Sequence, residues 1–290
     1  MERRITETLI EKYIIYLEEQ EKSDMTIKKY THDLKMLYKY LNNEPITKLK
    51  LITWKKYLKE CYAPSSVNSI LAALNGLLEY CGWTDLKIKP LKIQKNLFAQ
   101  EEKELTKIEY MRLVQAANQA KNERLALILQ TICATGIRVS ELKFITVDAV
   151  RTGKAIVQCK GKIRNVFLPR DLRHALRQYA KKQKRPTGCI FVTRTGQPVD
   201  RSNIWRDMKN LCKEAGVSQS KVFPHNLRHL FARIYYSIEK DLSRLADILG
   251  HANISTTRIY TMESGYVHQR QVEKMGLVCT QKNLKINAIT

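Results

Sequence analysis

The feature that most constrains the fold is a helical hydrophobic period running through the first ninety residues. Ile27, Tyr30, Leu34, Leu37 and Leu41 recur at +3/+4 spacing, one stripe on one helix face, with Ser23, Asp24 or Thr26 available as N-cap. An earlier helix holds Leu9, Ile10, Tyr13, Ile14 and Leu17, with Thr8 and Glu11 spaced as a capping box. A third, after Pro45, runs through Leu51, Trp54 and Leu58. A fourth, opened by Ser65 or Ser66, places Val67, Ile70, Leu71, Leu74, Leu77 and Leu78 on one side. Four such helices joined by short loops predict a compact bundle.

The period stops at Gly82. From there to Gln100 the chain alternates Lys with apolar residues around Pro90, the pattern of an extended linker. Thr106 with Glu109 opens a second domain through another capping box, and a strongly apolar helix through Leu125, Ile128, Leu129 and Ile132 reaches Gly136. Three β-rich runs follow, Phe144–Val150, Ala155–Lys160 and Ile163–Leu168. The last two join across Gly161 as a hairpin with Lys160 at its tip. From Asp171 to about Met275 the pattern is helical again. The expected fold is mainly α: a four-helix bundle, then a mostly helical domain carrying a small antiparallel β-sheet.

Charge narrows the partner. The 290 residues carry 51 Lys and Arg against 28 Asp and Glu, net +23, and the excess is uneven. Residues 1–100 hold 17 basic and 12 acidic residues; residues 101–290 hold 34 and 16. Arg151–Arg185 has twelve basic residues and one acid, Asp171. Such density points to a polyanion, and nucleic acid fits better than a membrane because the stretch lacks the apolar aromatic face of an interfacial helix. No run approaches 18 apolar residues, and Met1–Gln20 lacks the uninterrupted apolar stretch of a secretion signal, so a cytoplasmic protein is expected. Seven scattered cysteines with no Cys-x-x-Cys pair predict reduced, mostly buried thiols and no zinc site.

Phosphodiester cleavage without a metal needs a nucleophile, cations on the non-bridging oxygens and an acid for the leaving oxygen. Two His-x-x-Arg pairs offer part of that set. His174 with Arg177 stands alone. His225-Asn226-Leu227-Arg228-His229 follows Pro224 at a helix start, and its +3 spacing puts both side chains on one face. Leu249-Gly250-His251 closes a helix 23 residues after Arg228, and Tyr260 follows a Ser255-Thr256-Thr257 cap. Upstream, Arg138 and Glu141 lie just beyond Gly136.

This ordered series resembles the tyrosine recombinase (phage integrase) family and, within it, the Xer-like simple recombinases. The resemblance implies an N-terminal SAM-like core-binding bundle over residues 1–85, a linker over 86–104, a catalytic domain over 105–275 and a tail, 276–290, that docks on a neighbouring protomer. It implies Tyr260 as nucleophile, Arg138 and Arg228 on the non-bridging oxygens, and Lys160 as general acid, with Lys162 a rival because the hairpin is one residue shorter than usual. His225 would assist proton transfer, His251 would hydrogen-bond the phosphate, and Glu141 would support Arg138. Met262 stands where many relatives have His. No cofactor or metal is implied. The partner would be double-stranded DNA with paired inverted half-sites, clamped by both domains and cut by a homotetramer, or by a heterotetramer with a related recombinase, through a 3′-phosphotyrosine and a Holliday junction.

The role implied is integration, excision or resolution of a mobile element, with chromosome-dimer resolution the alternative. Type IB topoisomerases share the residue set, and a non-cutting DNA-binding relative would share the fold. Metal-dependent transposases are disfavoured because the second domain has no carboxylate cluster, and serine recombinases because no N-terminal serine sits in an arginine-rich context.

Overall fold

The computed structural model describes residues 2–93, 101–159, 162–251, 253–260, 270 and 273–275. The chain divides into two compact units, Met1–Lys95 and Asn96–Thr290.

The first unit contains α1 (Glu7–Glu19), α2 (Asp24–Leu41), α3 (Lys48–Cys61) and α4 (Pro64–Tyr80). Thr6, Ser23 and Thr47 cap the first three through their hydroxyls, which accept the N–H groups of Leu9, Thr26 and Lys50. The expected Thr8–Glu11 box is displaced: Thr6 is the cap, so Thr8 lies inside the first turn. Likewise α4 begins at Pro64 rather than at a serine, because a proline at the first helical position has no N–H to leave unpaired. The stripes meet as drawn from the sequence. Leu34, Leu37, Leu51, Trp54, Leu58, Leu74, Leu77 and Leu78 form one buried core.

Beyond Gly82 the chain is not free of the bundle. The side-chain amide of Asn75 pairs with both backbone groups of Ile88 (2.8 and 2.8 Å), and that of Asn68 with both groups of Leu91 (2.6 and 2.9 Å). Seven residues apart on α4, two turns, the asparagines act as rungs that satisfy an extended strand having no sheet partner.

The second unit runs α5 (Lys107–Gln119), α6 (Glu123–Thr135), a 3-10 turn (Val139–Phe144), α7 (Val147–Thr152), β1 (Lys154–Cys159) and β2 (Lys162–Phe167). It continues with α8 (Arg170–Lys182), α9 (Arg201–Ala215), α10 (Pro224–Glu239), α11 (Leu242–Leu249) and α12 (Ile254–Arg258). Both bonds of the Thr106–Glu109 capping box form, at 3.1 and 2.8 Å. The hairpin is antiparallel, with Val157 opposite Arg164 and Cys159 opposite Lys162.

Two expectations are corrected. Phe144–Val150 is not a strand: the Thr146 hydroxyl caps α7 by accepting from Ala149, which outweighs the β preference of Val147 and Val150. The stretch after α8 is not helical either, since Pro186, Gly188, Gly196 and Pro198 break it into turns with two isolated antiparallel bridges, Cys189 to Thr146 and Val192 to Pro198. The thiols are also less buried than expected. Among the described residues Cys212 is buried, Cys81, Cys133 and Cys189 are half-buried, Cys61 is exposed, and all are free. No helix among the described residues is long and apolar enough to cross a membrane.

Candidate active site

The site starts from a glycine. At Gly136 α6 ends in the left-handed conformation (φ 64°), and a Cβ there would lie 2.5 Å from the Phe231 ring. The chain then turns so that the Arg138 N–H donates to Glu141 Oε2 at 2.9 Å. Glu141, 2% exposed, also accepts Arg138 Nη1 at 3.0 Å and both terminal nitrogens of Arg164 at 2.9 and 2.7 Å. Burial alone would raise its pKa, but the hydrogen bonds and charge of Arg164 and Arg138 prevail and hold it at about 2. Arg164 also reaches the Ile248 carbonyl at 3.2 Å, tying β2 to the end of α11.

Pro224 starts α10 and sets His225 at its exposed mouth and Arg228, 2% exposed, one turn below. Arg228 Nη1 donates to the Gly136 carbonyl, and Nη2 to the Leu249 carbonyl (2.6 Å) and to His251 Nε2 (3.1 Å). Burial lowers the Arg228 pKa to about 10, with repulsion from Arg138 adding to it and the Tyr260 phenol partly offsetting it. His251 follows Gly250, the left-handed residue (φ 65°) that ends α11. Its Nδ1 lies 2.8 Å from the Thr257 hydroxyl. The ring thus meets Arg228 and Thr257 rather than the last carbonyls of α11; only its backbone N–H does that, at the Ala246 carbonyl (2.9 Å).

Tyr260, 3% exposed, closes the group. The His229 ring stands edge-on to its ring at 4.4 Å between centroids, His251 is stacked at 5.8 Å, and His225 lies at 6.5 Å. Desolvation, then the nearby arginine charges, drives His251 down to about 4 and His225 below its ordinary value. Desolvation, then His225 and the charges of Arg233 and Arg228, takes His229 to about 3. At neutral pH His229 and His251 are uncharged, and His225 is pushed in the same direction. A cleft of about 430 Å³ opens onto the group, lined by Arg138, Ser140, Arg201, Trp205, His225 and Arg228.

The structure therefore brings together Arg138, Glu141, His225, Arg228, His251 and Tyr260, which are spread over 123 positions of sequence. Lys160 lies outside the described residues. Arg164, His229 and Thr257 join the site without having been singled out. Arg164 had a signal, a charge at an inward position of a strand. Thr257 was read as part of a cap, but Asn253 caps α12 by accepting the Ser255 N–H, leaving the Thr257 hydroxyl for His251. Among the described residues no three His, Cys, Asp or Glu groups converge as a metal site.

Residues 103–265 match the phage integrase family, and residues 10–84 match the phage integrase N-terminal SAM-like domain. The chain is 29% identical over 288 residues to the tyrosine recombinase XerA of Pyrococcus horikoshii, covering 96% of this chain and 97% of that one. The crystal structure of a XerA recombinase superposes with a TM-score of 0.52 at 26% identity, over 94% of this chain and 99% of that one. A lambda integrase tetramer bound to a Holliday junction gives 0.72 at 17% identity, over 87% and 76%.

Proposed function

This chain belongs to the phage integrase family, the tyrosine recombinases, and is a site-specific DNA recombinase; from that premise we propose how its residues divide the work. Tyr260 Oη attacks the scissile phosphorus. A P–O bond to the tyrosine forms, the P–O5′ bond breaks, and the 5′ oxygen leaves with a proton supplied by Lys160. The Arg228 guanidinium beside the phenol supplies positive charge where the attacking oxygen and the phosphate meet. Arg138 and Arg228 hold the non-bridging oxygens, where bidentate guanidinium geometry fits better than an ammonium. His225 assists proton transfer, His251 contacts the phosphate, and Glu141 orients Arg138. The 5′ hydroxyl of a partner strand reverses the step and needs neither ATP nor metal.

The single observation that carries this reading is the clustering of Arg138, Arg228, His225, His251 and Tyr260 beside a cleft that Arg138, His225 and Arg228 line. The test is a nicked duplex substrate. Wild type traps a covalent protein–DNA adduct on it and Tyr260→Phe does not; an adduct that survives the substitution refutes the assignment. Relaxation of supercoils without product joining would favour the topoisomerase reading.

Within the same proposal, residues 1–85 and 105–275 share the duplex across the 86–104 linker, and four protomers act on two synapsed sites with inverted half-sites. The lambda integrase tetramer on a Holliday junction supports that assembly by fold alone. The chain acts in the cytoplasm, on integration, excision or resolution of a mobile element. Chromosome-dimer resolution is the second reading, favoured by the near-full-length similarity to a Xer protein. Half-sites at the ends of an element around the gene would select the first, and a single chromosomal site the second. The tail, 276–290, docks on a neighbouring protomer, so its deletion should spoil synapsis and spare single-site binding.

A further inference from the structure

One buried hydroxyl has no place in the reaction just described. Thr257 is fully buried, and its Oγ1 lies 2.8 Å from His251 Nδ1. The other ring nitrogen faces Arg228 Nη2 at 3.1 Å. A guanidinium only donates, so Nε2 must accept, and in a neutral imidazole the single proton then sits on Nδ1. In the free protein Nδ1–H donates to Thr257 Oγ1. In that tautomer His251 has only a lone pair at Nε2, beside Arg228, and cannot donate from there to a phosphate oxygen.

A phosphate entering the cleft competes for the same Nη2 hydrogen of Arg228. Once Arg228 turns to the phosphate, Nε2 loses its donor and faces an anion, which favours a proton there. The ring can meet that demand while staying neutral only if Nδ1 gives up its proton and is offered a donor instead. A hydroxyl serves both states, because it accepts from Nδ1–H in one and donates to bare Nδ1 in the other. A carbonyl or a carboxylate in its place would lock the ring in the first.

We propose that Thr257 is a positioning residue that lets His251 exchange tautomers when DNA binds, Nδ1 releasing its proton to solvent and Nε2 taking one up, and that ties the exchange to the seating of Tyr260. The tie is structural. Thr257 lies in α12, three residues before Tyr260, and the Tyr260 N–H donates to the Thr257 carbonyl at 2.9 Å. Any displacement of the nucleophile's segment also withdraws the hydroxyl from His251. The histidine is then competent only where the tyrosine is seated. The proposal rests on the active-site reading above, and its test separates the two.

The variants are Thr257→Val, which keeps the shape and removes the hydroxyl, and Thr257→Ser, which keeps the hydroxyl. The probe is a nicked duplex bearing half-sites that the protein selects from a random-sequence pool. Single-turnover adduct formation should slow about tenfold in Thr257→Val with duplex binding unchanged, and Thr257→Ser should stay within about twofold of wild type. Nitrogen-15 spectra of the histidines should show His251 protonated at Nδ1 in the free protein. In the Tyr260→Phe protein bound to the duplex it should be protonated at Nε2. A wild-type rate in Thr257→Val, a serine variant as slow as the valine one, or an unchanged tautomer on binding overturns the proposal. An adduct that persists in Tyr260→Phe overturns the active-site reading instead.

Discussion

Glu141→Gln isolates what holds the arginines in place. The carboxylate is buried, accepts from two guanidiniums, and has its pKa drawn from an ordinary 4.5 to about 2, a difference worth about 3 kcal/mol. Breaking one partner out of a buried ion pair costs a similar amount, about 3–5 kcal/mol, because the opposing charge is left without compensation. An amide keeps the size, but its NH₂ faces a donor in Arg138 or Arg164. For a unit of this size such a loss lowers the melting temperature by roughly 6–12 °C. The pH dependence fixes the cause. A carboxylate with a depressed folded pKa stabilises fully above its unfolded value, and the gain is lost as pH falls from about 4.5 through about 2. Denaturant titrations of both proteins at pH 7 and at steps from 5 down to 3 should therefore converge as pH falls. A deficit under about 1 kcal/mol at pH 7, or one that stays constant to pH 3, refutes the reasoning.

Three further outcomes follow from the geometry. Arg228→Lys loses the fork that spans the Gly136 and Leu249 carbonyls, so adduct formation on a nicked duplex should fall at least a hundredfold and stability by about 1–3 kcal/mol, read by single-turnover assay and denaturant midpoint. Gly136→Ala puts a Cβ at positive φ and 2.5 Å from Phe231; a destabilisation above about 2 kcal/mol and a loss of cleavage are expected, and a neutral variant would show that the α6 terminus can shift freely. His229→Phe bears on acid sensitivity. With a folded pKa near 3 the histidine is neutral when folded, so the unfolded chain gains its proton first and stability is lost as pH falls from about 6.5 toward 3. The phenylalanine variant should lose less stability than wild type over that window in urea melts at pH 7, 6, 5 and 4.

What the sequence disclosed and what it hid differ for a physical reason. The bundle was legible because Leu34, Leu37, Leu51, Trp54, Leu58 and Leu74 lie on local stripes, and a stripe is a property of consecutive residues. Motif order was legible for Arg138, His225, Arg228, His251 and Tyr260. The rungs Asn68 and Asn75, the Arg164 fork and the Thr257 hydroxyl were not. Each satisfies a partner distant in sequence or on another element, and nothing in its neighbours marks it. Asn226 is the same case: it sits in the His-x-x-Arg run, yet its amide donates to the Lys103 and Lys221 carbonyls, which fixes the start of the unit rather than the chemistry.

The arrangement also explains how so much like charge stands together before any DNA arrives. Arg138 and Arg164 share the one carboxylate of Glu141, and Arg228 lies beside them against His251, so three guanidiniums are met by a single negative charge. The remaining repulsion is met by backbone. Arg228 donates to Gly136 and Leu249, Arg164 to Ile248 and Arg138 to Gly250, and these carbonyls are the last, unpaired acceptors of α6 and α11, the ends where the helix dipole is negative. The two left-handed glycines are what turn both helix ends toward the same point. A phosphodiester carries one negative charge and its pentacoordinate transition state two. In the proposed reaction a site whose cations outnumber its carboxylates matches the second better than the first, with its donors held in place rather than recruited, which is the condition for binding the transition state more tightly than the substrate.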